Sequence, residues 1–233
     1  MQWLIRDVGF HQNHYANTLD REVPTGVDWL DLGAGTQLHD GFGVPAPQQL
    51  AGRARQLIGV DPVTPHLHAN GCLTSAVGAL GDALPFGARS LDVVTANMVI
   101  EHLEDPAAVF AEVARVLRPG GRFIFVTPNL HHPVIRLASL VLTQRQRHAA
   151  AVHVEQREAA HVFPTFYRAN TPRRIRALSR RTGFRASRVE IHRNLPFCRE
   201  PAFLRLLECL MIRMSARRPL RRYGADLIGI LER

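Results

Sequence analysis

Hydrophobic residues fall into short unbroken runs along the first half of the chain, with helix-spaced stretches between them. Val27-Asp28-Trp29-Leu30-Asp31-Leu32 carries two acids and breaks directly into Gly33-Ala34-Gly35. A run of this kind predicts a buried strand over 27–32 that hands its last residues to a tight turn. Similar runs predict strands at 57–61, 75–80, 91–97 and 122–127. Helices are predicted over about 7–22, near 46–56, briefly after 61, and over 107–117. The last has Val109, Phe110, Val113, Val116 and Leu117 at helical spacing, Asp105 as N-cap, Pro106 in its first turn and Pro119-Gly120-Gly121 to stop it. Strands alternating with helices predict an α/β fold around a parallel sheet with right-handed crossovers.

From Asn129 to Tyr167 no strand is predicted. The span is too long for a simple connection, which predicts a lid or substrate-binding insertion containing one amphipathic helix (Val134, Ile135, Leu137, Ala138, Val141, Leu142). His148, His153 and His161 follow at spacings that do not suit a metal site. Beyond it, Thr171 and Gly183 bracket a helix that opens at Pro172 and runs to about Thr182. Strands are predicted at 186–192 and 225–231. Between these, Phe203, Leu206, Leu207, Leu210, Met211 and Met214 form one helical stripe, expected to pack on the domain. Because arginines follow at once, docking on an anionic membrane surface is the alternative.

Candidate chemistry collects at strand ends. The run Leu57-Ile58-Gly59-Val60-Asp61 places an acid where ribose hydroxyls could donate to it. Gly81-Asp82-Ala83-Leu84-Pro85-Phe86 sets an acid before an apolar turn, which suits an adenine amino group. Leu91–Asn97 runs on into Glu101-His102 on the same edge. Ligands of open α/β sheets bind outside the carboxyl ends of the strands, and each of these groups falls at such an end.

Composition sets bounds. The chain has 233 residues and is 46% hydrophobic, enough for one well-buried domain. No apolar run reaches the roughly 18 to 20 residues that span a bilayer, and Asp7 comes too early for a secretory signal. Cys72, Cys198 and Cys209 are sparse and lack metal-ligand spacing, which suggests reduced thiols and a cytoplasmic location. The net charge is +9, carried entirely by arginine. It raises the prospect of acidic partners, whether nucleic acid, anionic lipid or a phosphorylated substrate.

Taken in order, Asp31-Leu-Gly-Ala-Gly35, Gly59-Val-Asp61, Gly81–Phe86, Thr95-Ala-Asn-Met-Val-Ile-Glu-His-Leu-Glu-Asp105, Val116-Leu-Arg-Pro-Gly-Gly121 and Phe125-Val-Thr-Pro-Asn129 resemble the class I S-adenosylmethionine-dependent methyltransferases of the small-molecule "type 11" kind. The resemblance implies a Rossmann-like doubly wound sheet of seven strands, mostly parallel, with an antiparallel last strand and a helical lid insertion after strand five. It implies a single domain over 1–233: an N-terminal helical lid (1–26), a cofactor-binding core (27–128), an insertion (129–170) and a C-terminal region (171–233). The cofactor implied is S-adenosyl-L-methionine. Gly33 and Gly35 would accommodate its methionine part, Asp31 would hold the ammonium or order the loop, Asp61 would take the ribose and Asp82 with Ala83 the adenine. Asn97 would contact cofactor or substrate, Tyr15 is a candidate lid contact, and Phe163, Phe166, Tyr167 and Arg168 would wall the pocket or anchor the lid. His102 and His131 are candidate general bases.

The sequence departs from the pattern at Gln37, where a third small residue is common. Asp61 also follows Asp31 by 61 − 31 = 30 positions, against about 20 in a compact βαβ unit; an extra loop over Asp40–Pro47 accounts for the excess. Leu38 stands where a dinucleotide-binding G-x-G-x-x-G would place its last glycine. The Ala96-Asn97-Met98-Val99 end of strand four lacks the Asn-Pro-Pro-aromatic clamp of base-flipping amino-methylating enzymes. The expected reaction is therefore methyl transfer to a small or lipid-linked acceptor, with peripheral contact to anionic membrane as a possible partner and nucleic acid not expected. Alternatives are a catalytically inactive cofactor-binding scaffold and a nucleic-acid-modifying methyltransferase.

Overall fold

The computed structural model describes residues 8–39, 45–143, 146, 163–196 and 202–233. The extra loop expected over 40–47 therefore falls mostly outside the described residues, as do His148, His153, His161 and Cys198. A helix α1 (His11–Glu22) precedes β1 (Val27–Leu32), α2 (Pro47–Ala51), β2 (Ala54–Val60), α3 (Thr64–Ala69), β3 (Ser75–Val77), β4 (Leu91–Asn97), α4 (Pro106–Val116) and β5 (Leu117–Pro128). Next come α5 (Pro133–Val141), α6 (Pro172–Arg181), β6 (Ala186–His192), α7 (Ala202–Met214) and β7 (Asp226–Glu232). The sheet has seven strands in the order β3-β2-β1-β4-β5-β7-β6. β7 is antiparallel to both neighbours, and the other recorded pairings are parallel. This is the mixed α/β sheet that the sequence implied.

Burial explains the strand composition. All six residues of β1 are buried, and β4 is nearly so, because helices cover both faces of these central strands. One face packs Phe123, Phe125 and Leu227 against Val109, Phe110 and Val113 of α4 and Ile175 of α6. The other packs Trp29, Ile124, Val126 and Ile228 under Tyr15 and Leu19 of α1 and Leu50 of α2. At the amino end of the sheet Arg118 joins two acids, pairing with Asp28 at 3.0 Å and Asp92 at 2.6 Å.

Helix ends follow local chemistry. Asp105 accepts from the backbone of Ala107 and Ala108, and Thr171 accepts from Arg174 N. Gly183 closes α6 with φ +93°. Several boundaries differ from expectation. α2 stops at Ala51 because Gly52 ends it and β2 begins three residues earlier than expected, at Ala54. β3 keeps only Ser75–Val77 of its expected span, since β2 offers it just three register partners. β5 starts at Leu117, not 122: the Pro-Gly-Gly segment bends within the strand, with Gly120 at φ +80° and its N–H donated to Arg233 O. No helix among the described residues is long and apolar enough to cross a membrane.

Gly229 of β7 sits opposite Phe125, where an added Cβ would lie 2.2 Å from the ring's Cζ. Gly229→Ala should cost about 1–3 kcal/mol by overpacking, read from urea denaturation. Combining it with Phe125→Leu should restore part of that loss, and a neutral single variant would contradict the packing described.

Candidate functional site

The carboxyl ends of β1 and β2 are fastened together through their turns. Gly33 N–H and Ala34 N–H both donate to Val60 O, at 2.7 and 3.2 Å. Gly35 N–H donates to Asp61 Oδ2 at 3.2 Å, and Val63 N–H donates to Asp61 Oδ1 at 2.8 Å. Gly33 (φ +67°) and Gly35 (φ +47°) adopt left-handed backbone. A Cβ on Gly33 would strike Val99 Cγ2 at 2.4 Å, whereas one on Gly35 would meet nothing among the described residues closer than 4.0 Å. The second glycine thus faces open space above the turn. Asn70, which sequence reading passed over, donates from Nδ2 to Ala34 O at 3.0 Å and steadies the loop from below.

The loop bearing Asp82 and Ala83 adjoins the same edge. A Cβ on Gly81 would come within 3.2 Å of Leu32 Cδ1, at the end of β1. Leu84 N–H donates to Glu112 Oε1 (2.9 Å), and Arg115 donates to the carbonyls of Leu84 and Phe86, so α4 holds this loop in place. Asp82 and Ala83 are exposed. Gly33, Gly35, Asp61, Asp82 and Ala83 therefore share one rim.

Asp31 lies inside the rim. It is buried beneath α1, and its Oδ1 accepts a 2.6 Å hydrogen bond from Thr95, which in turn accepts one from Trp29 Nε1 at 2.8 Å. Burial pushes the Asp31 carboxyl up to about 7, aided by the Asp61 charge and opposed by Thr95. Tyr15, fully buried, faces Thr95, Ala96 and Asp31, and burial raises its phenol well above the usual range. Asn97 forms a reciprocal amide pair with Gln12 of α1 (3.1 and 2.9 Å) and donates to Leu38 O. This tie holds α1 over the ends of β1 and β4.

On the β5 side, Glu101 is buried and fixes the segment after the insertion. Its carbonyl accepts from Phe166 and Tyr167, and its carboxylate accepts from Thr127 Oγ1 at 2.8 Å. Asn170 donates to the same Thr127 hydroxyl at 2.7 Å. Asp226, which sequence reading missed, is buried here, and burial together with the Glu101 charge pushes its carboxyl up to about 8. His102 Nδ1 lies 2.8 Å from Pro164 O, and its ring meets Phe163 edge-on with centroids 6.1 Å apart. The backbone of His131 donates to Asn129 Oδ1. Its neighbour His132 is buried, which pushes the imidazole down to about 4 against the Glu208 charge. Arg168 stacks on Phe166, 5.4 Å from the ring centroid. Among the described residues no cluster of His, Cys, Asp or Glu could hold a metal ion.

A cavity of about 290 Å³ opens where β6 ends, between α1 and the foot of α7. Its lining includes His14, His192, Arg193, Ser215 and Arg221, and among the described residues no acid. The two imidazoles stack 4.6 Å apart, and burial lowers the affinity of both for protons. One carboxylate stands behind the wall: Glu190 meets His192 Nε2 at 3.2 Å.

Residues 30–125 match the family model described as a methyltransferase domain. The chain is 37% identical over 102 residues to an uncharacterized methyltransferase of Mycobacterium sp. (strain JLS), covering 42% of this chain and 38% of that protein. It is 37% identical over 107 residues to a probable S-adenosylmethionine-dependent methyltransferase of Mycolicibacterium smegmatis, covering 45% and 39%. Residues 30–125 are a class I methyltransferase domain. In fold, the chain is similar to a S-adenosylmethionine-dependent methyltransferase of Thermotoga maritima, with TM-score 0.58 and 14% identity over 99% of this chain and 91% of the other. The chain spans about two fifths of the length of those curated relatives. S-adenosylmethionine is the cofactor that goes with the domain, and the rim fits it. The space above Gly35 is open to a ligand, and each Asp61 oxygen has an accepting lone pair beyond the one its backbone donor uses.

Titration of Asp226 supplies a test of the buried acids. The unfolded chain releases this proton near pH 4, the native state only at about 8. The protonated carboxyl therefore contributes stability that is fully present below about pH 4 and is lost as pH rises through about 8. Asp226→Asn removes this titration, so the variant should gain on the native protein between pH 5 and 8 in urea midpoint. The opposite slope from His132 is common to both proteins and cancels. A difference that does not change with pH would show Asp226 to be ionised in the fold.

Proposed function

We propose that this protein transfers a methyl group from S-adenosylmethionine to a small or lipid-linked acceptor, as a single domain that includes α1, the insertion after β5 and the C-terminal region. The observation that carries the reading is the shared rim of Gly33, Gly35, Asp61 and Asp82 at the carboxyl edge of the sheet. When bound, the cofactor supplies an activated methyl group for in-line displacement. The protein's own work is then alignment and exclusion of water, and alignment alone can lower a barrier by roughly 7–11 kcal/mol. Gly33 and Gly35 would bring backbone against the methionine part, with Asp31 beneath it. Asp61 would accept from the ribose, Asp82 and Ala83 would border the adenine, and Asn97 would reach cofactor or acceptor once released from Gln12.

A hydroxyl acceptor needs a base, and the two candidate histidines differ. The 2.8 Å contact to Pro164 O favours a proton on Nδ1 of His102, leaving Nε2 to accept one. The recorded contact of His131 involves its backbone, which leaves its ring without comparable orientation. His102 is thus the stronger choice. The basic lining of His14, His192, Arg193 and Arg221 suits an acceptor that carries an anionic group.

Calorimetry is the direct test. S-adenosylmethionine should bind, and NADH should bind more weakly or not at all; tighter NADH binding would reverse the reading. Asp61→Ala should weaken cofactor binding by about 1–3 kcal/mol, with urea denaturation reporting any loss of fold, and unchanged affinity would remove Asp61 from the site. With a labelled methyl donor and a hydroxyl acceptor, His102→Gln should lower kcat by about 10²–10⁴ with little change in KM for the cofactor. Unchanged kcat would exclude His102 as the base.

A further inference from the structure

The sequence led us to expect the apolar stripe of α7 to pack on the domain, and the structure places only the opposite face there. Glu208, Cys209 and Ile212 point inward and are buried. Phe203, Leu206, Leu207, Leu210 and Met214 recur at helical spacing on the outer face, with Phe203 61%, Leu207 58% and Met214 53% exposed. Helical spacing puts Arg213 at the margin of that face and Arg205 on the opposite side, and Glu208, the sole acid of the helix, is turned inward. A helix face meeting water is ordinarily polar, and a contiguous exposed apolar patch marks a contact surface.

A second helix near α7 is exposed in the same way. α5 buries Ile135 and exposes Leu137 (63%), Leu140 (74%) and Val141 (66%). Its N-cap His132 feels the Glu208 charge, so the middle of α7 lies beside the start of α5. The margin of this surface is basic. Arg217, Arg218, Arg221 and Arg222 follow α7 and are exposed, and Glu208 is the one acid from 202 to 225. Arg222 lies over the Tyr223 ring at 4.8 Å, an amphipathic pair of the kind that settles at a water–lipid boundary.

We propose that the outer faces of α7 and α5 dock on the surface of a bilayer containing anionic lipid. The apolar side chains enter the boundary of the acyl chains while the arginines meet headgroup phosphates. Charge selects this occupant over a second copy of the chain. Two copies meeting at this face would each bring a net charge of +9, and like charges brought together repel. An anionic bilayer neutralises them instead. The docking does not depend on the methyl-transfer reading, and Arg221, which also lines the cavity at the end of β6, places that opening at the margin of the same surface.

Flotation of the whole chain with phosphatidylcholine vesicles, with and without phosphatidylglycerol, tests the proposal. The protein should float with the anionic vesicles, stay behind with the neutral ones, and be released by high salt. Leu207→Glu with Leu210→Glu should weaken vesicle binding by at least about tenfold while leaving the urea midpoint and calorimetric cofactor binding as in the native protein. Because both residues face water, the fold should tolerate the change. Arg217→Ser with Arg218→Ser, which leaves the apolar face intact, should reduce the preference for anionic lipid. Failure of the native chain to float with anionic vesicles would overturn the proposal. So would equal flotation by the Leu207→Glu, Leu210→Glu variant, or a native dimer in light scattering that this variant dissociates.

Discussion

The hydrogen bond from the Gly35 amide to Asp61 Oδ2 joins two turns that the chain order keeps apart. β1 and β2 pair in parallel with Asp31 opposite Gly59 and Leu32 opposite Val60, so the strands deliver their ends to one level. That register alone does not shape a site. The glycine turn must also stay open, which requires left-handed backbone at Gly33 and Gly35, and it must be anchored, which Val60 O and Asp61 provide. Because Asp61 anchors the turn while keeping lone pairs to spare, one carboxylate can both build the cleft and face what enters it.

α1 is the second constraint. Its Gln12 and Tyr15 reach the ends of β1 and β4, whereas its His11 and His14 reach Asn194 and His192 at the far edge of the sheet. The helix therefore lies across the region where cofactor and acceptor would meet, and its hold on the core is partly polar. The Gln12–Asn97 amide pair can be exchanged for other partners at small net cost, since each neutral hydrogen bond contributes only about 0.5–1.5 kcal/mol net. Tyr15 and Leu19, fully buried against Trp29, anchor the helix much more firmly.

Much of the core was legible because its signals are local. Strands β1, β4 and β6 begin and end where the residues suggested, and Asp105, Thr171 and Gly183 cap their helices as expected. The boundaries that moved depend on neighbours: β3 is cut to the length its partner offers, and β5 gains residues by pairing Leu117 with Leu91. The site divides in the same way. Acids at strand ends are visible in the chain, and the structure places them on one rim. Thr95 beneath Asp31, Gln12 opposite Asn97 and Asp226 near Glu101 were not visible, because each pairing is made by packing across 64 residues or more. A polar residue inside the apolar strand β4 was the one trace that Thr95 left.

This division has a physical basis. The proposed cofactor cleft uses backbone turns and single acids that short segments can encode. The proposed acceptor side is assembled from α1, the residues after the insertion, β6 and the foot of α7. Its electrostatics follow from that assembly: His14, stacked on His192, is held toward the neutral form by burial and by the charges of His192 and Arg193, and His192 is held there by burial against the pull of Glu190. An anionic group arriving beside them would oppose the repulsion from the neighbouring cations and favour proton uptake by the imidazoles. The empty cavity would thus carry less charge than its four basic residues suggest, and the anion would bring about part of the charge that holds it.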